Sequence, residues 1–215
     1  MTDIRGLVQQ DALGSAGEGT WSAAKLNKMG QQIVVDFYTQ MAIEGRAYQA
    51  RAGTITAPIT GDIIITDTKA EMATSPAVGT TIIPCDLSVS LEAIGGTLPE
   101  IAAKSVGAVH TAQTTVFVAL PLLMGGAAAT SDSGVGTAGG VTVAAELNTT
   151  TREHFHRLIT AVVQENVIQH SFAASGPPPV LVGPAAFYVQ IGSVTTGSTY
   201  MAHYDFVELA TTAVS

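Results

Sequence analysis

The sequence predicts an all-β fold. From Ile33 onward, runs of β-branched and aromatic residues are cut at short intervals by Gly, Pro, Asp and Asn, as in sandwiches and barrels. Several runs alternate with period two: in Asp86–Glu92, Leu87, Val89 and Leu91 face one way, and Asp86, Ser88, Ser90 and Glu92 the other. The number of such runs approaches that of an eight-stranded jelly roll with one extra strand. The expectation is therefore a single jelly-roll β-sandwich over residues 31–215, preceded by an N-terminal arm over 1–30.

The arm is rich in Gly, Ser and Ala around Trp21, and Ser22–Met29 suits a short helix capped by Ser22. A helix this short is marginal alone, so it is expected to order on a neighbouring subunit, with Trp21, Leu26 and Met29 as its docking residues. Arg5, Lys25 and Lys28 balance Asp3, Asp11 and Glu18, so the arm is neutral and no basic tail.

The strands expected next are Ile33–Tyr38, continuing toward Tyr48, then 54–59, 63–67, 81–92, 106–120, 141–147, 156–170, 187–194 and 200–209. The stretch 154–170 has two readings. Thr150 and Glu153 have capping-box spacing, and Phe155, Leu158, Ile159 and Val162 follow a helical period. Against this, the β-branched run Ile159, Thr160, Val162, Val163, Val167 and Ile168 disfavours a helix, and a strand after a short turn is favoured. Gly125–Gly140 has the composition of a mobile surface loop. Ser175–Pro184, with Pro177, Pro178, Pro179 and Pro184, reads as a stiff extended connector.

Composition bounds the function. Of 215 residues 9 are basic and 17 acidic, 12% charged in all, about half the usual fraction; mean hydropathy is +0.35. A lone monomer would show water a neutral, partly apolar skin, which points to surfaces covered by neighbours. The net charge of −8 and the lack of any basic cluster argue against direct nucleic-acid binding. The single cysteine, Cys85, excludes an internal disulfide, fits a reducing cytoplasm and reads as a small buried hydrophobe. The N-terminus shows no secretory signal pattern. Residues 105–131 carry no charge, but His110, Gln113, Pro121 and Gly125-Gly126 interrupt them, so no membrane span is expected.

Candidate chemistry is sparse. His154 and His156, two apart on a strand, would face the same side and could share a metal, a device of cupin enzymes. The cupin pattern also wants a Glu three to four residues after the pair, whereas Glu165 lies nine beyond His156; neither metal nor cofactor is expected. Tyr200, with His203 and Asp205, could contact a glycan on a lectin-like face, although alternation puts Tyr204 and Phe206 on an inward face. No Gly-x-Ser-x-Gly elbow or phosphate-binding loop is present, and no catalytic residue is assigned.

Residues 77–84, Ala-Val-Gly-Thr-Thr-Ile-Ile-Pro, followed by the alternating strand 86–92, resemble jelly-roll structural proteins of bacterial viruses; Ala-Gly-Gly-Val-Thr-Val at 138–143 and the closing strand 200–209 agree. The resemblance spans about residues 33–210. It implies a capsid, cement, vertex or decoration subunit, made in the host cytoplasm and located in the virion. Such a subunit is a trimer or pentamer, contacts other virion proteins, and has no enzymatic role. The alternatives are a receptor- or glycan-binding module and, behind it, a cupin-like metalloenzyme.

Overall fold

A computed structural model describes residues 36–113, 115–117, 119–159 and 167–214. The arm, with Trp21, Leu26 and Met29, lies outside them. In chain order the elements are α1 (Phe37–Ile43), β1 (Ala47–Ala52), β2 (Ile59–Thr60), β3 (Lys69–Ala70), β4 (Met72–Ser75), β5 (Thr80–Ala93), β6 (Thr97–Val106) and β7 (Thr115–Phe117). There follow β8 (Leu120–Pro121), β9 (Asp132–Val135), β10 (Val141–Thr142), β11 (Thr151–Leu158), β12 (Val167–Ser171), α2 (Phe172–Ser175), β13 (Leu181–Val182), β14 (Ala186–Val194) and β15 (Thr199–Ala210).

The fold is all-β, with two large antiparallel sheets. One runs β12-β5-β15-β1-β8, with β13 joined to β5 and β2 to β15; the other runs β11-β6-β14-β4-β9-β7. Their facing sides share one core: Leu87, Val89, Tyr204 and Phe206 from the first sheet meet Ile101, Phe187, Val189 and Met72 from the second. Phe187 bridges the layers, its ring 5.1 Å from Tyr204 and 5.5 Å from Phe172, both edge-on. Each large side chain buried there contributes roughly 1.5–3 kcal/mol.

The long alternating strands stand as expected: β5, β14 and β15 cover the runs at 81–92, 187–194 and 200–209. Elsewhere the chain departs from the sequence pattern. Residues 33–35 of the first expected strand lie outside the described residues, and the chain beyond them is a helix from Phe37 to Ile43. The Asp36 side chain accepts the Thr39 N–H at 3.0 Å, Gly45 at φ +71° ends the helix, and Tyr38, Met41 and Ala42, at helical spacing, pack on the sheet. Residues 54–57 form a tight turn instead of a strand, because the Thr54 hydroxyl and carbonyl both accept the Ala57 N–H. Residues 63–67 join no ladder; the chain crosses over β14 at Gly192, where a Cβ would stand 3.0 Å from the Ile65 nitrogen.

The expected strand 106–120 is displaced. The ladder occupies β6, ends at Val106, and resumes as the short β7 and β8. Only Val141 and Thr142 of 141–147 pair, with Ala70 and Lys69; Val141 and Val143 then cover Tyr188, Ala73 and Val106 on the outer side of the second sheet. Of the stretch 154–170, residues 160–166 lie outside the described residues, and the described parts belong to strands in different sheets, β11 beside β6 and β12 beside β5. The glycine-rich 125–140 is not simply a surface loop, for it contains β9, paired with β4 and β7 and buried at Ser133, Gly134 and Val135. Gly134 is needed there because a Cβ would stand 2.8 Å from Gln113 Cβ, at the root of that side chain. In 175–184, Leu181 and Val182 join β5 as β13. Among the described residues no helix is long and apolar enough to cross a membrane.

Candidate functional site

The face of the first sheet turned away from the core carries two rows of polar side chains. Register places Gln49, Asp205 and Asp86 in one row across β1, β15 and β5, and Arg51, His203 and Ser88 in the next. Gln49 Nε2 donates to Asp205 Oδ1 at 3.0 Å. Burial pushes the Asp205 carboxyl above its ordinary range, against that hydrogen bond, and Asp86 across the strands adds to the rise. α1 covers the adjoining part of this face, where Met41 packs with Ala47, Ile83, Cys85, Val207 and Leu209. Cys85 is buried there. Burial, then Asp86 and Asp205, push its thiol up to about 12, so it stays protonated and unreactive.

His203 and Asp205 therefore share an outer face, as alternation predicts. Tyr200 does not join them: it is fully buried on the inward face, and its hydroxyl has no hydrogen-bond partner among the described residues. As a ligand contact it is corrected to core.

The paired-histidine expectation is also corrected. Glu153 pairs with Lys104 and Phe155 with Ala103, leaving His154 as the extra residue of a β-bulge. The bulge turns His154 and Phe155 both inward, and His154 lies against Phe187 and Phe172 with its Nε2 2.8 Å from Ser105 Oγ. His156 faces outward, 2.6 Å from Glu100 Oε1. The two imidazoles lie on opposite sides of the strand and cannot share an ion. Among the described residues no three His, Cys, Asp or Glu side chains are grouped to hold a metal.

Beside the sheet edge formed by β8 lies an apolar rim. Ile43, Leu120, Leu123 and Met124 are exposed, Leu120 by 68% and Met124 by 92%. A Cβ at Gly45 would touch Leu123 Cδ2 at 3.5 Å, so the α1–β1 turn and the 122–126 turn abut. The loop carrying the rim is tied down: Leu122 N–H donates to Ala47 O at 2.9 Å, and Ala129 N–H to Ala119 O at 3.2 Å. Glu208 of β15 accepts four hydrogen bonds from Thr130 and Ser131.

Two buried polar groups had no signal in the sequence. His110 Nδ1 lies 2.7 Å from Ser75 Oγ, and its Nε2 2.5 Å from Gln113 Oε1 and 3.5 Å from Asp132 Oδ2. The residue types are those of a serine hydrolase, but Ser75 is 4% exposed and its Oγ also accepts the His110 N–H. No substrate can reach that oxygen, and the group is a strut between β4 and the segment leading to β7. Glu71, buried next to β4, accepts the Asp62 N–H at 3.0 Å and the Ile191 N–H at 2.7 Å. Burial pushes its carboxyl up to about 8, against these bonds. A hollow of about 190 Å³ lies beside Lys104 and Glu146, whose charges satisfy each other at 2.6 Å.

No protein-family model, no curated protein and no solved structure matches this chain.

Proposed function

We propose that the chain is a virion structural subunit: a single jelly-roll sandwich that assembles with copies of itself, as a trimer or pentamer, and with other virion proteins. On this reading it works by association, with no catalysis, cofactor, direct nucleic-acid contact or membrane contact, and the arm 1–30 ties one copy to the next through Trp21, Leu26 and Met29. The jelly-roll assignment is supported by the way β4, β5 and β6, and again β13, β14 and β15, alternate between the two sheets.

The observation that carries the reading is the exposure of large apolar side chains on a charge-poor surface. Beyond the rim, Val78, Val182 and Val214 are exposed at the end where the 76–79 turn meets the C-terminal turn, and Ile63, Ile64 and Leu158 at the other end. Apolar side chains grouped and exposed in this way suit interaction sites. The decisive measurement is the solution mass of the full chain by light scattering, followed by electron microscopy. Closed rings, trimers or shells are expected; a monomer at every concentration rejects the proposal.

A second reading, a glycan- or receptor-binding module, draws on the outer row of Arg51, His203 and Ser88. Binding on a glycan array that is lost in His203→Ala would favour it.

A further inference from the structure

We propose that the rim of Ile43, Leu120, Leu123 and Met124 is the seat for the N-terminal segment of a second copy of this chain. The inference rests on the assembly reading and names the surface through which it acts.

The rim is built to be met. Its side chains are exposed while their backbone is fixed: Gly126 N–H donates to Leu123 O at 2.8 Å, and Leu122 and Ala129 are tied as described. The Glu208 carboxylate holds the loop's far end. A fixed apolar surface loses little conformational entropy on docking. Residues 105–131 carry no charge, so the loop selects apolar anchors and sets no charge requirement on the rest of its occupant.

The sequence contains such an occupant. Thirty-five residues precede Asp36, with Trp21, Leu26 and Met29 spaced for anchoring; a tryptophan seated among aliphatic side chains is a frequent energetic anchor. Fully extended, the stretch from Trp21 to Asp36 reaches roughly 50 Å at about 3.3 Å per residue. That exceeds the diameter of a domain of this size, about 40 Å, and suffices to meet a neighbour.

Asp36 sets the segment's exit at the far end of α1 from the rim. Its backbone is extended (φ −65°, ψ 157°) and enters α1 at the end opposite Gly45 and Leu123. To cover its own rim the segment would have to double back along the whole of α1, roughly 10 Å. A neighbour's segment meets no such constraint.

The test uses the full chain with photoreactive benzoylphenylalanine in place of Trp21, as an equal mixture of isotope-labelled and unlabelled protein. The expected cross-links join one labelled and one unlabelled copy and map to 119–126. The surface variant Leu120→Glu with Met124→Glu should keep the thermal unfolding midpoint and weaken association by about tenfold or more. An oligomer whose cross-links fall elsewhere, or only within one copy, overturns the seat and leaves the assembly reading standing. A protein that is monomeric at all concentrations overturns both.

Discussion

Glu208 holds Ser131 by backbone and side chain at once: Ser131 N and Oγ lie 2.9 and 2.5 Å from the same carboxylate oxygen. The other oxygen accepts the Thr130 N–H and hydroxyl at 3.1 and 2.6 Å. One side chain of β15 thus fixes the end of a loop distant in sequence. Glu208→Ala leaves the buried Ser131 donors without an acceptor, a loss of about 1–3 kcal/mol. A lower unfolding midpoint is expected, with faster amide exchange at Thr130 and Ser131; unchanged exchange there would remove the clamp.

Glu71 should make stability depend on pH. Its carboxyl is raised from 4.5 to about 8 in the folded chain, so the native state holds the proton more tightly than the unfolded one. The stabilisation is complete below pH 4.5 and is lost as pH rises through 8, by up to about 1.4 kcal/mol per pH unit in that window. Asp205, also raised, acts with the same sign at the acid side of this range. Urea unfolding at pH 5 and pH 9 should show the fall. Glu71→Gln should flatten it while lowering stability at pH 5, because its NH2 group meets one of two backbone N–H donors.

Two glycines should respond very differently to alanine. A Cβ at Gly96 would stand 1.6 Å from the Val194 carbonyl oxygen, backbone against backbone. Gly125, at φ +86°, has nothing within 4 Å of that position. Gly125→Ala should therefore cost only about 1–2 kcal/mol of conformational strain, whereas Gly96→Ala should yield little folded protein. Comparable soluble yields and melting midpoints for the two would contradict this packing.

His154 and His156 should separate in the same way. His154→Ala removes a ring packed on Phe172 and Phe187 and strands Ser105, and should lower the melting midpoint clearly. His156→Ala breaks an exposed pair with Glu100, where little stability resides. Added zinc should leave the midpoints of both variants and the parent unchanged; a zinc-dependent rise lost in either variant would restore the shared metal site.

Much of this was legible in the chain itself, because β5, β14 and β15 are long, rich in β-branched and aromatic residues, and in β5 and β15 alternate cleanly. The inward Tyr204 and Phe206 and the outward His203 and Asp205 follow from that period alone. The charge-poor surface was equally a property of composition.

Tertiary structure decided the rest, for reasons local pattern does not carry. β6 is built from Ala102, Ala103 and Lys104, small or polar residues that become strand by pairing with β11 and β14 on either side. β9 has a loop's composition, and Gly134 is there to let Gln113 approach. The facing of His154 depends on one extra residue against β6, and a one-residue slip reverses a side chain's face. The Ser75–His110 strut, the buried Glu71 and the Glu208 clamp join residues 35, 120 and 77 positions apart. The sequence by itself determined that the long alternating strands could form a core; only long-range pairing determined which further strands join it, which polar groups they enclose and which apolar ones they leave in water.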